Sequence, residues 1–194
     1  THSFTLFPYT TLFRSGALAV GLFCFCVCFY ISRFVSSVDE CFENHERIAD
    51  IYLTTENGRP WSGVSCTMLP YLQQRIWNEV ENFTLLSYPY THEYNLIGKN
   101  DEILPYDLTD METDSLYYKI FTPTLVSGSW EQAANNRNSI VMTRHAAKRI
   151  FGDIHQAIGK QFEGDSRFSI KKTVYTVQAV IEDLPENTSM NFMR

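Results

Sequence analysis

A run of apolar residues near the start of the chain limits the possible fold more than any other feature of the sequence. Residues from Gly16 to Ile31 carry no charge, and the run continues through Arg33 to Val35. A helix of this length, at ~1.5 Å per residue, spans roughly 30 Å, the thickness of a bilayer's hydrocarbon core. No Ala-x-Ala cleavage pattern follows, which favours a membrane anchor over a cleaved signal peptide. We therefore predict a transmembrane helix over residues 16–35.

The residues on either side of this span set its expected orientation. The segment THSFTLFPYTTLFRS, residues 1–15, is interpreted as a translated sequencing adaptor that replaces the native start. Arg14 precedes the span, whereas Asp39 and Glu40 follow it without a cationic excess. The positive-inside rule then places the N-terminus in the cytoplasm. We expect residues 36–194 to form part of an extracytoplasmic domain.

The composition predicts that this domain has a packed core. Hydrophobic residues make up 44% of the chain and aromatic residues 14%, which is typical of a folded protein. A formal net charge of −6 argues against a nucleic-acid partner, because such binding needs a basic surface.

Hydrophobic periodicity predicts an α+β fold with several βαβ-like units. Residues 36–50 have apolar positions at helical spacing, so we expect an amphipathic helix that continues out of the membrane. The segment SIVMT is predicted to be a strand, and RHAAKRIF a helix that Gly152 ends. The segment TVYTVQAVIEDL has two largely apolar faces at its centre and is predicted to be an inner strand.

Gly152, Gly159 and Lys160 at first suggest a phosphate-binding loop. That loop needs four residues between its first glycine and the Gly-Lys pair, followed by Ser or Thr. Here six residues separate the two glycines, and Gln161 stands in the hydroxyl position. A nucleotide site is therefore excluded, and the glycines are interpreted as structural.

The remaining candidates for chemistry do not form a complete site. Cys41 and His45 lie four residues apart on the expected helix, but two ligands do not make a metal centre. Cys41 and Cys66 could form a disulfide in an oxidising compartment, or both could remain free. The sequence lacks a Ser/His/Asp order, a paired-carboxylate motif and a nucleophile elbow. We thus expect no catalytic residue, metal or cofactor.

Four segments, in order behind the apolar run, carry a family resemblance. They read CFENHERIADIYLTT, DSLYYKIFTPTLVSGSWEQAA, SIVMTRHAAKRIFGDIHQAIGKQF and YTVQAVIEDLPENTSMNF. Together they resemble the N-terminal periplasmic core domain of MacB/FtsX-type ABC transporter permeases, particularly the versions in Bacteroidetes. The framework positions that match the family pattern are Phe42, Asp50, Tyr52, Asp114, Phe121, Gly128, Thr143, Ala147, Phe151, Gly152, Gly159, Lys160, Asp183 and Pro185. Ala179 replaces a family glycine, and Met190 a family histidine.

The resemblance implies a subunit of an ABC-type export or lipoprotein-translocation system in the bacterial inner membrane. Such a permease has four spans, forms a homodimer or heterodimer, and works with a separate cytoplasmic ATPase subunit. Its periplasmic domain transmits the ATP-driven motion outward and can meet a periplasmic adaptor, while its spans contact membrane lipid. The chain is then expected to be a fragment whose periplasmic domain continues beyond Arg194.

Two other functions remain open at the level of the sequence. The first is a single-span, membrane-anchored module whose extracytoplasmic domain binds a ligand or acts as a sensor. The second, less favoured by the residues, is a membrane-tethered hydrolase. No spacing rule marks residues that contact cargo, so the sequence does not identify a transported substrate.

Overall fold

The computed structural model describes residues 7–61, 63–76, 79–98, 102–166 and 169–190. The α-helices of this part are α1 (Phe7–Ser36), α2 (Leu69–Ile76), α3 (Tyr117–Phe121), α4 (Trp130–Asn135) and α5 (Arg144–Phe151). The strands are β1 (Leu53–Thr54), β2 (Pro60–Trp61), β3 (Tyr90–Ile97), β4 (Ile103–Asp110), β5 (Leu125–Gly128), β6 (Ser139–Thr143), β7 (Gln161–Ser166) and β8 (Ser169–Ile181).

Helix α1 contains the predicted span and extends beyond it at both ends. Its segment Leu12–Ser36 has a mean hydropathy of 2.1, and none of its most apolar stretch is buried. Length and composition therefore allow this helix to cross a membrane, and it does not serve as a core helix of the domain. The helix includes part of segment 1–15, whose origin as an adaptor stays a prediction.

The predicted amphipathic helix over residues 36–50 is wrong. Helix α1 ends at Ser36, and only a short 3₁₀ turn, His45–Arg47, follows in that region. The reason is Asp39, whose φ of 64° lies in the left-handed region that a continuing helix cannot contain.

Strands β3 to β8 form a six-stranded sheet with the order β4-β3-β7-β8-β5. Strand β8 is long enough to pair with β7 and β5 along one edge, and β6 pairs with its opposite edge. Strand β6 runs parallel to β8, with α5 in the connection between them, which gives one βαβ-like unit. The other ladders of this sheet are antiparallel. As predicted, β8 is an inner strand, because it is paired on both edges. The α+β fold behind an N-terminal apolar helix is confirmed, although the described residues form one βαβ-like unit rather than several.

The buried side chains of the described residues form two separate clusters. The larger cluster lies between the sheet and α5, where Phe162, Val177 and Ala147 have no exposed surface. Gly164 belongs to this region, because a Cβ there would come within 2.5 Å of the Tyr94 ring. The smaller cluster lies where α1 joins the domain, outside the sheet core. This second cluster positions the candidate site.

Candidate functional site at the junction of helix and domain

The chain turns sharply after α1 and is fastened at once to the C-terminal part of the described chain. Asp39 takes the left-handed conformation, which is uncommon for residues other than glycine but tolerated by Asp and Asn. Its backbone N–H donates to the carbonyl oxygen of Asn187 at 3.1 Å. This bond joins positions that are far apart in the sequence.

Side chains reinforce the same junction. Thr188 Oγ1 donates to Asp39 Oδ1 at 2.6 Å, and the backbone N–H of Ser189 donates to the same oxygen at 2.8 Å. Asn187 Nδ2 lies 2.9 Å from the Ser37 carbonyl oxygen and 3.0 Å from Ser37 Oγ. We call these five residues, Ser37, Asp39, Asn187, Thr188 and Ser189, the clamp. The clamp fixes the end of the apolar helix to a segment 150 positions away.

The smaller buried cluster lies directly beyond the clamp. It contains Phe42, Tyr117, Phe121 and Met190, all less than a tenth exposed. The Phe42 and Phe121 rings meet edge to face, with centroids 5.0 Å apart. The Tyr117 hydroxyl lies 3.5 Å from the Met190 sulfur. Because burial of aromatic rings dominates the energetics of small clusters, this cluster should make the junction stiff.

Asp114 holds the start of α3 in place. Its Oδ1 accepts hydrogen bonds from Thr84 Oγ1 at 2.8 Å and from the Leu116 backbone at 2.9 Å. Its Oδ2 accepts from the Leu85 backbone at 3.1 Å. One carboxylate thus connects α3, which carries Tyr117 and Phe121, to the strand-like segment before β3.

Stability at alkaline pH should report on this cluster through Tyr117. Burial, with a smaller contribution from Cys41, raises the pKa of Tyr117 from 10 to about 12. Between pH 10 and pH 12 the Tyr117 hydroxyl loses its proton in the unfolded chain and keeps it in the folded chain. The folded state therefore loses stability as the pH rises from 10 to 12, by on the order of 2 kcal/mol.

We expect Tyr117→Phe to remove this share of the alkaline loss, as measured by urea unfolding at pH values from 7 to 12. Burial also raises the pKa of Tyr94, so the variant should keep part of the slope. Below about pH 9 the free energies of unfolding of the wild type and the variant should differ by a constant amount. If this difference stays constant up to pH 12, Tyr117 is not the source of the loss of stability.

A second group of framework residues surrounds α5 and supports the fold. Thr143 Oγ1 accepts from the Ala146 backbone at 3.2 Å and caps the helix N-terminus. Asp183 Oδ1 accepts from the His145 backbone at 2.7 Å. Gly152 ends the helix with a φ of 75°, as predicted. Each of these positions thus has a structural explanation.

The other framework positions are placed as follows. Ala147 and Phe151 pack in the larger cluster, and the Gly159 N–H donates to the Val177 carbonyl at 2.8 Å. The Lys160 carbonyl accepts from the Val177 N–H at 2.9 Å. The Gly-Lys pair therefore aligns the start of β7 with β8. Asp50, Tyr52 and Pro185 are exposed. The structure brings together Phe42 and Phe121 at the junction and does not gather the fourteen positions into one site.

An open groove runs beside the junction. Its volume is about 1360 Å³, and its lining is mainly apolar, with Ile51, Leu86 and Met111 among the contributors. The hydroxyl of Tyr52, on the same groove, donates to Asp50 Oδ2 at 3.2 Å. Arg47 and Glu81 form an exposed ion pair at its rim, which contributes little to stability.

The described residues contain no group of three His, Cys, Asp or Glu side chains that could hold a metal ion. His45 Nδ1 lies 3.0 Å from the Phe42 carbonyl oxygen. Cys41 is a free thiol, and the side chain of Cys66 lies outside the described part. The end of the fourth family segment, residues 191–192, also lies outside it.

No protein-family model and no curated protein matches the sequence. Among the solved structures that are similar to it are the following two. The first is a domain of a protein described as a permease from Porphyromonas gingivalis, with 19% identity and a TM-score of 0.44 over 59% of this chain and 46% of that chain. The second is the periplasmic region of MacB from Actinobacillus actinomycetemcomitans, with 14% identity and a TM-score of 0.41 over 62% of this chain and 51% of that one.

The chain therefore spans about half the length of the solved chains that it matches. At these identities and TM-scores, the two likenesses assign no role to any residue of this chain.

Sequence reasoning did not find the clamp. The expected helix over residues 36–50 conceals the turn at Asp39, and the residues around Asn187 show only a family motif and the glycosylation triplet NTS. One signal was available. Ser37 and Asp39 place polar side chains directly behind an apolar helix, and such residues commonly end helices or form turns.

Proposed function

We propose that this chain is part of the permease subunit of a MacB/FtsX-type ABC export system, in which a membrane helix moves an extracytoplasmic domain. The observation that supports the proposal most directly is the clamp. A flexible linker after the helix would behave as a random coil, so a displacement of the helix would not move the domain. Here the chain is bonded to the domain three residues after the helix ends.

The contacts support one route by which a force could pass from the helix to the domain. The predicted span over residues 16–35 lies within α1 and, at ~1.5 Å per residue, makes a lever of roughly 30 Å. A tilt or axial shift of this lever reaches Ser37 and Asp39 first, and through them the segment that contains Thr188. Met190, whose sulfur lies 3.5 Å from the Tyr117 hydroxyl, then passes the displacement to α3. The chain therefore acts by mechanical coupling, without catalytic residues of its own.

The partners follow from the proposed system. ATP hydrolysis is assigned to a separate cytoplasmic ATPase subunit, and a second permease copy completes the membrane part. The described domain is placed on the periplasmic side of the inner membrane, where an adaptor can contact it. The cargo is left open between a small exported molecule and a lipoprotein.

The test uses the native-length protein encoded at this locus. It should sediment with membranes, present its domain to protease added from the periplasmic side, and co-purify with an ATPase subunit whose turnover it alters in nanodiscs. A soluble native-length protein contradicts the proposal. So does an ATPase subunit that neither binds the protein nor responds to it.

A single-span binding module is the second candidate, and the groove favours it. Leu86 lines the groove and is 39% exposed, whereas Leu125 on β5 is similarly exposed at 38% and lies elsewhere. If the groove binds apolar ligands, Leu86→Glu should reduce binding of the probe anilinonaphthalene sulfonate several-fold, and Leu125→Glu should not. Equal binding by both variants removes the support for this function.

A further inference from the structure

Helix α3 connects the junction to the sheet side of the domain. Two of its residues, Tyr117 and Phe121, are buried in the cluster with Met190. Between them, Tyr118 stacks on Trp130 of α4, with ring centroids 5.3 Å apart and planes 11° apart. A displacement that arrives through the clamp can therefore reach α4 through α3.

The residue that ends α3 is held in a costly conformation. Thr122 has φ 44° and ψ 45°, in the left-handed region where a β-branched residue is an outlier. Helices commonly end in this conformation with glycine or asparagine, which tolerate it. The Thr122 N–H donates to the Tyr118 carbonyl at 3.1 Å, which completes the helix end.

A second, independent cost falls on the same residue. The Thr122 hydroxyl is buried and makes no hydrogen bond within the part of the chain that the structure describes. Buried polar groups are paired in the great majority of cases, because the alternative carries the full desolvation cost. Residues in strained backbone conformations cluster at active sites, ligand clamps and switch regions.

The neighbouring residues determine how Thr122 could relax. Pro123 follows it, and a residue before proline is biased towards extended conformations. On the far side, the Thr124 carbonyl accepts from the Glu182 N–H at 2.9 Å and is thereby fastened to the end of β8. A change of Thr122 from left-handed to extended would therefore move α3 while the start of β5 stays in place.

We propose that Thr122 is the pivot of a two-state movement of α3. In one state Thr122 is left-handed and Tyr118 is stacked on Trp130; in the other Thr122 is extended and the stack is open. The strain at Thr122 keeps the two states close in free energy, so that a small force can shift their populations. The role of this movement in transmission rests on the proposed function, but the movement itself does not.

The first experiment observes the stack directly. The full chain is placed in nanodiscs with Trp61→Phe and Trp77→Phe, so that a single 5-fluorotryptophan at position 130 reports by ¹⁹F NMR. We expect two resonances, or exchange broadening on the μs–ms timescale. Thr122→Gly removes the cost of the left-handed state, so it should give one sharp stacked resonance and raise the Tm by about 2–4 °C.

Two further variants make the result specific. Thr122→Val keeps the β-branched strain and removes only the hydroxyl, so exchange should persist. Thr122→Pro excludes a positive φ, so it should give one resonance near that of Tyr118→Ala, in which the stack is absent. A single sharp resonance in the parent chain, unchanged by Thr122→Gly, overturns the proposal.

The second experiment separates the pivot from the proposed function. In the native-length permease with its ATPase subunit in nanodiscs, Thr122→Gly should reduce several-fold the change in ATP turnover that the permease causes, with Thr122→Val close to wild type. If exchange at Trp130 is present but this change in ATP turnover is unaffected by Thr122→Gly, the pivot stands and this route of transmission is contradicted. If exchange is absent, the pivot is contradicted whatever the ATP turnover.

Discussion

Replacing Gly128 with alanine is expected to lower the free energy of unfolding by about 3 kcal/mol. Gly128 has a φ of 88°, a conformation that side chains with a Cβ rarely adopt. An added Cβ would also overlap the Gln178 carbonyl oxygen and lie 2.8 Å from the Ala179 Cα. Both obstacles are backbone atoms of β8, which β6 and β5 hold from either side, so they cannot move away cheaply.

The matched control for this change is Gly152→Ala. Gly152 has a similar φ of 75°, but no atom lies within 4 Å of the position its Cβ would take. The control therefore carries only the backbone cost, about 1 kcal/mol. Urea unfolding of both variants should show Gly128→Ala as clearly the more damaging. Equal losses would mean that β5 does not approach β8 as closely as the structure shows.

Features of the sheet side were predictable from sequence because the signals that specify them are local. Helix α5 has an apolar stripe bounded by Thr143 and Gly152, and both ends lie where the pattern places them. The two apolar faces at the centre of β8 predicted an inner strand, and β8 is paired on both edges. Gly128 was recognised only through the family resemblance. Its physical reason, the close approach of two strands, needs the three-dimensional pairing.

The junction could not be predicted by the same means. The helical spacing of apolar residues continues past Ser36, so a prediction from neighbouring residues alone extends the helix. The chain instead turns because the conformation of Asp39 is stabilised by bonds from residues about 150 positions later. No window of neighbouring residues contains both partners of these bonds.

The clamp gives the prediction with the largest functional consequence. Asp39→Ala removes the acceptor of the Thr188 hydroxyl and of the Ser189 N–H, and it also places alanine at a φ of 64°. We expect local opening of the junction to become easier by about 2–3 kcal/mol, which is 30- to 150-fold in the opening equilibrium. Hydrogen exchange at the Ser189 amide should accelerate by this factor, while amides in the centre of β8 should remain protected.

Two further variants at the same position separate the causes of this effect. Asp39→Gly relieves the backbone but lacks the acceptor, whereas Asp39→Asn keeps both a tolerated left-handed conformation and a carbonyl oxygen. If the hydrogen bonds form the mechanical link, the change in ATP turnover that the native-length permease causes in its ATPase subunit should fall with Ala and Gly and be largely kept with Asn. If this change follows only the overall stability of the variants, the clamp supports the fold but does not transmit the motion of the membrane helix.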